Sequence, residues 1–105
     1  MNIEINELAT LLGGTQKQGR PPITGPQQIV VLDRGWVFVG NARYVDGGLA
    51  VDNARCIRIW GTARGIGQLA ETGPTEQTKL DPCGSIIAPD HAVILIIPCK
   101  SQSQW

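Results

Sequence analysis

Trp60-Gly61-Thr62-Ala63-Arg64-Gly65-Ile66-Gly67 gathers an indole, a hydroxyl, a guanidinium and three glycines into one short segment. Such a set suits an anion. Backbone amides at a helix start near Gly65 to Gly67 would turn N–H groups and the positive end of a dipole toward negative charge. Arg64 adds a forked donor, Thr62 a hydroxyl, and Trp60 or Trp36 a surface on which a base can stack. Strand alternation puts Arg58 on the face that carries Trp60 and Cys56. The candidate ligand-binding residues are therefore Arg58, Trp60, Gly61, Thr62, Arg64, Gly65 and Gly67. The segment is not a Walker loop, because the Gly-Lys-Ser/Thr ending is absent, and no βαβ unit surrounds it to make a dinucleotide fingerprint. The competing reading is architectural: the glycines let the chain cross the end of a barrel and pack a short helix against Trp60. Both readings stand on the sequence.

Catalytic chemistry has less to draw on. A general base is most often a histidine, and the one histidine, His91, follows Asp90 in an apparent turn. Cys56, Cys83 and Cys99 are far apart, with no Cys-x-x-Cys pair, and they read as reduced, mostly buried thiols instead of a zinc site. No Gly-x-Ser-x-Gly elbow occurs. Asp81 and Asp90 offer a carboxylate pair, but acids beside prolines and in turns commonly bind backbone amides. Arg34, Arg43, Arg55, Arg58 and Arg64 make an electropositive mouth if Arg58 and Arg64 converge, or pair with Asp33, Asp46 and Asp52 on solvent-facing strands. The expectation is a non-enzyme with no catalytic residue, metal or cofactor.

The elements that must hold these residues belong to one small body. With 105 residues the chain supports one domain. Nine basic and nine acidic side chains cancel, so the electrostatic drive toward nucleic acid is missing. The stretch Met1 to Leu12 carries Glu4 and Glu7 where a signal peptide has basic residues. The longest apolar run, Ala92 to Ile97, is too short to span a bilayer. A soluble, cytoplasmic protein of the host cell, in one alternative virion-associated, is expected.

Ile5, Leu8, Ala9 and Leu12 share one helical face, with Gly13-Gly14 as a stop, so residues 2–12 predict a short amphipathic helix. Gly13 to Gln28 is rich in Gly, Gln, Thr and Pro and reads as an extended arm. An ordered arm would take its contacts from a neighbouring subunit, which implies an oligomer; a loose tail is the other reading. The division is residues 1–28, helix and arm, and residues 29–105, a single β domain.

Within that domain Ile29 to Leu32, Trp36 to Val45, Leu49 to Val51 and Arg55 to Trp60 read as strands, with turns at Asp33-Arg34-Gly35 and Asp46-Gly47-Gly48 and a bend or bulge at Asp52-Asn53. Ile66 to Glu71 predicts one or two helical turns ended by Thr72-Gly73-Pro74, and a loop runs from Thr75 to Pro82. Strands follow at Ser85 to Ile87 and Ala92 to Pro98, the second predicted to be covered on both faces because it lacks polar alternation. The fold class is mainly β: a small barrel or sandwich of five to six short strands with one short helix, an N-terminal helix and an extended arm. Trp105, after the polar residues 100–104, is expected to dock on a neighbour or on the barrel end.

Arg34-Gly35-Trp36-Val37-Phe38-Val39-Gly40, Ile57-Arg58-Ile59-Trp60-Gly61-Thr62, Gly65-Ile66-Gly67-Gln68-Leu69-Ala70 with Gly73-Pro74, and Thr78-Lys79-Leu80-Asp81-Pro82-Cys83-Gly84 together resemble a small family of phage and prophage proteins. The resemblance runs from about Ile29 to Cys99 and leaves out the N-terminal helix and arm. It implies a phage setting and carries over no activity. Two functions remain. One is a non-enzymatic, homo-oligomeric accessory protein that binds a small anionic, nucleotide-like ligand or a host protein to counter host defence. The other is a virion structural or assembly accessory protein.

Overall fold

The computed structural model describes residues 20–101 and 105. The predicted N-terminal helix and the arm up to residue 19 lie outside the described residues.

Five strands form one antiparallel sheet: β1 (Gln28–Leu32), β2 (Val37–Val45), β3 (Gly48–Ile59), β4 (Lys79–Pro89) and β5 (Val93–Pro98). The order across the sheet is β4-β3-β2-β1-β5, so β4 and β5 are edges and the sheet does not close into a barrel. One helix, α1 (Ile66–Thr72), lies between β3 and β4, and short 3-10 turns at Asp33–Gly35 and Asp90–Ala92 join β1 to β2 and β4 to β5. Among the described residues the chain is thus mainly β, with five strands and one short helix, as expected, but the sheet stays open. Among the described residues no helix is long and apolar enough to cross a membrane.

Alternation along each strand divides the apolar side chains between two faces. On one face Ile29, Val37, Val39 and Ile57 pack with Leu69 and Ala70 of α1 and with Cys99. On the other, Val30, Leu32, Phe38, Leu49, Val51, Ala54 and Ala88 form a second cluster, with Ile23 of the arm packed against it. The register explains how odd and even residues of β3 reach this same cluster. Ala42 faces Val51 and Phe38 faces Cys56, with a shift between. The extra residue falls at Asp52-Asn53, where Asn53 takes a left-handed φ of 52°. A bulge inserts one residue and reverses the alternation, so Leu49 and Val51 before it, and Ala54 and Cys56 after it, point the same way. Gly40 makes room, since a Cβ there would lie 2.7 Å from the Asp52 carbonyl oxygen.

Three expectations are corrected. The loop placed at Thr75 to Pro82 gives way to strand from Lys79, because an edge strand tolerates the charges and the proline that argue against strand elsewhere. The run Ala92 to Ile97 is not covered on both faces: among the described residues β5 pairs with β1 alone, and Ile94 is 61% and Leu95 43% exposed. Residues 20–27 of the arm lie on the chain's own sheet. Arg20 donates to the Val45 carbonyl at 3.0 Å, the Tyr44 hydroxyl to the Pro21 carbonyl, and Asn41 Nδ2 to the Pro26 carbonyl at 2.9 Å.

Candidate functional site

The sheet ends at Ile59, and the next residues turn toward the helix face. Gly61 takes a φ of 67°, and a Cβ on it would fall 2.4 Å from the Gln77 carbonyl carbon. Only glycine fits where two backbone segments approach so closely. Threonine hydroxyls fix that approach: Thr75 Oγ1 donates to the Gly61 carbonyl at 2.6 Å and Thr78 Oγ1 to the Trp60 carbonyl at 2.7 Å. Thr62 Oγ1 donates to the Gly65 carbonyl at 2.7 Å, so the hydroxyl assigned to a ligand is engaged within the loop.

Gly65 precedes α1 without a side-chain cap. Gln68 serves instead, its Oε1 accepting the Arg64 backbone N–H at 3.0 Å. The Arg64 amide, just before the predicted anion cradle of Gly65 to Gly67, is therefore already donated. At the far end the Gly73 N–H donates to the Leu69 carbonyl at 2.9 Å and the Lys100 N–H to the Ala70 carbonyl at 2.8 Å. The helix is thereby tied to the strand that follows β5. Gly67 stands on the exposed side of α1, with nothing near its Cα hydrogens.

Trp60 is 42% exposed, and the position of a Gly65 Cβ is 3.9 Å from its ring. The indole therefore stands over the loop that carries Arg64. The Arg64 side chain is exposed and reaches Glu71 at 3.8 Å, a long surface pair of small energetic weight. Arg58 lies on the opposite face from α1, the face of Cys56, as alternation predicts. Its Nε donates to Asp81 Oδ2 at 2.8 Å. This hydrogen bond, with the charge of Asp81 behind it, raises the Arg58 pKa above its ordinary value. Extending the pairing of Phe38 with Cys56 brings Trp36 to the same end of the sheet as Arg58. Trp36 is exposed and stacks on Phe38 with ring centroids 6.2 Å apart. The structure thus brings Trp60, Gly61, Thr62, Arg64 and Gly65 into one loop and leaves Arg58 in a separate ion pair beside it.

The remaining chemistry-bearing residues are distributed. Asp81 is paired with Arg58 and Asp90 with Arg20 at 2.8 Å, so the two acids do not form a carboxylate pair. Arg43 takes Asp52 at 2.7 Å, as expected, and its hydrogen bond holds the Asp52 carboxyl below the usual range. His91 is an exposed residue of the 3-10 turn. Of the thiols only Cys99 is buried; Cys56 is half-buried and Cys83 exposed, which corrects the expectation of mostly buried cysteines. Burial raises the Cys56 thiol pKa, and Cys83 and Asp81 nearby add to the effect. Among the described residues no three His, Cys, Asp or Glu side chains group to hold a metal ion.

Sequence reasoning did not find the cleft of about 350 Å³ lined by Arg20, Pro21, Tyr44, Asp90 and Val93 to Ile96. Its residues come from the arm, the end of β2 and an edge strand whose position is fixed by long-range pairing. Tyr44 has Arg20 4.8 Å above its ring, and burial raises its hydroxyl pKa. Compared with known protein families and with curated proteins, the chain matches none.

Proposed function

We propose that this chain is a phage-type accessory protein that binds without turnover, and that its ligand is a small anionic molecule with a stackable ring, nucleotide-like in chemistry. The observation that carries the reading is the half-exposed Trp60 indole standing over the loop that projects the exposed Arg64 side chain. An aromatic face next to an exposed guanidinium grips a base and a phosphate at once. Glu71 holds Arg64 only loosely, so an incoming phosphate displaces a weak partner. Arg58 contributes at the rim after exchanging Asp81 for the ligand. Two of the loop's donors, the Thr62 hydroxyl and the Arg64 N–H, are engaged within the segment, so recognition falls mainly to the Trp60 and Arg64 side chains. In this reading the protein acts as a homo-oligomer in the host cytoplasm, sequestering a host signalling nucleotide or occupying a host factor to counter defence.

Thermal melting in the presence of mono-, di- and cyclic nucleotides tests the proposal, because a ligand that binds only the folded state raises the melting temperature. The expected result is a rise with at least one nucleotide that both Trp60→Ala and Arg64→Ala abolish. A rise that survives both substitutions moves the site elsewhere. A second reading, an assembly accessory protein, draws on the bare aliphatic edge at Ile94 and Leu95; copurification with virions and indifference to every nucleotide favour it.

A further inference from the structure

The two edges of the sheet differ in how they meet solvent. β4 contains Pro82 and Pro89, which have no N–H to offer, and the charges Lys79 and Asp81. Its register against β3 shifts at three places, and Gly84 takes a φ of 75°. These are the devices by which a strand refuses a further strand. β5 reads Val93-Ile94-Leu95-Ile96-Ile97-Pro98. It carries no charge, it meets proline only at its last residue, and among the described residues it pairs on one side alone. Its outer N–H and C=O groups are a row of donors and acceptors beside exposed Ile94 and Leu95.

We infer that the β5 edge is the contact between two copies of this chain, which pair antiparallel about a two-fold axis to continue the sheet across the dimer. The inference deepens the homo-oligomer part of the proposed function by naming its surface, and it stands whether or not a nucleotide binds. A second copy is the occupant the edges select. A chain with two bare edges would propagate into a filament, whereas one bare and one blocked edge pair once and close. A two-fold centred on Leu95 sets Val93 opposite Ile97 and Ile94 opposite Ile96 of the second copy. Every cross-strand pair is then aliphatic, the kind that stabilises a ladder. The uncharged edge and the balanced charge of the whole chain oppose nothing to the approach. Six residues make an edge only about 20 Å long at ~3.3 Å per residue. Such an edge falls short of the roughly 800 Å² per partner of a stable interface, so the dimer is weak and depends on concentration.

Sedimentation of the full chain from micromolar to millimolar concentration tests this. The wild type is expected to rise from the monomer mass toward twice that mass and to stop there. Leu95→Lys puts two ammonium groups opposite each other across the axis and is expected to weaken the dimer about tenfold or more; Ile94→Lys acts in the same direction. Ile87→Lys, at an equally exposed position of the blocked edge, leaves the dimer as it is. Far-UV circular dichroism checks that each variant is folded, and amide exchange of Leu95 and Ile96 that slows as wild-type concentration rises reports the edge without any substitution. A wild type that stays monomeric at millimolar concentration overturns the inference, as does a dimer that both lysine variants leave intact, or growth beyond the dimer. The nucleotide melting experiment reads the loop separately, so the two proposals fail independently.

Discussion

On the helix face of the sheet, Leu69 is fully buried, Ala70 nearly so, and Trp105 adds its ring against the same cluster. On the arm face, residues 20–27 are held largely by side chains that reach backbone carbonyls, from Arg20, Tyr44, Gln28 and Asn41. The helix cover is apolar and gains by removing surface from water. The arm cover is polar, and each hydrogen bond gains little over the one it replaces with water, while a partner left buried and unpaired costs more. The two covers should therefore respond differently to substitution: the first in proportion to volume removed, the second according to what is stranded.

Leu69→Ala carries the largest expected effect, about 2–5 kcal/mol of unfolding free energy, because the vacated space lies at the centre of the helix-face cluster. Denaturant unfolding measures it. A loss under about 1 kcal/mol would mean that α1 does not close this face as described. Gln28 is the arm-face counterpart. It is 3% exposed; its Nε2 donates to the Thr24 and Gly25 carbonyls at 2.8 and 3.0 Å, and its Oε1 accepts the Ala42 N–H at 2.8 Å. Gln28→Ala strands these groups and should cost about 1–3 kcal/mol, accompanied by proteolytic sensitivity near residues 24–27. A variant as stable and as resistant as the wild type would show that the arm is not held through this side chain. Arg20→Ala comes next. Its bond to Asp90 is an ion pair whose acid is half exposed, so the expected loss is within about 1 kcal/mol and shrinks with added salt. A salt-independent loss of several times that size would assign the effect to packing over Tyr44 instead.

The contrast also marks what the sequence disclosed. The Asp46-Gly47-Gly48 hairpin, the break at Asp52-Asn53 and the helix stop at Thr72-Gly73-Pro74 are local backbone chemistry, where a few residues decide the conformation, and they lie where predicted. Strand order was not legible. Nothing in Val93 to Ile97 says that its neighbour is β1 or that it ends the sheet, and an aliphatic run looks alike at an edge and in the interior. The candidate site divides the same way. The loop from Trp60 to Gly65 was legible as a unit because its glycines fall close together in the sequence. Its partners were not, since Gln77 against Gly61 and Asp81 against Arg58 arrive from other parts of the chain. The polar residues of the arm looked unable to fold back for a related reason: a segment without an apolar pattern can still be fixed by hydrogen bonds from the surface it crosses.

Cys99 gives the comparison its finest test, one with no expected effect at neutral pH. The thiol is buried at the helix-face cluster, and loss of solvation pushes its pKa up from 9.0 to about 11. The Trp105 indole lies close enough to favour the thiolate slightly, yet its Nε1 has no acceptor at hydrogen-bond distance. In the unfolded chain the thiol loses its proton near its ordinary pKa, whereas the folded chain keeps it until about pH 11. The folded state thus binds more protons in that interval, and stability must fall as pH rises through it. Below pH 9 both states hold the proton and the curve is flat. Melting temperatures from pH 8 to 11 should decline more steeply for the wild type than for Cys99→Ala, after each is referred to its own value at pH 8. Parallel curves would mean that water reaches the thiol, and with it that Leu69, Trp105 and their neighbours cover this face less completely than the polar arm covers the other.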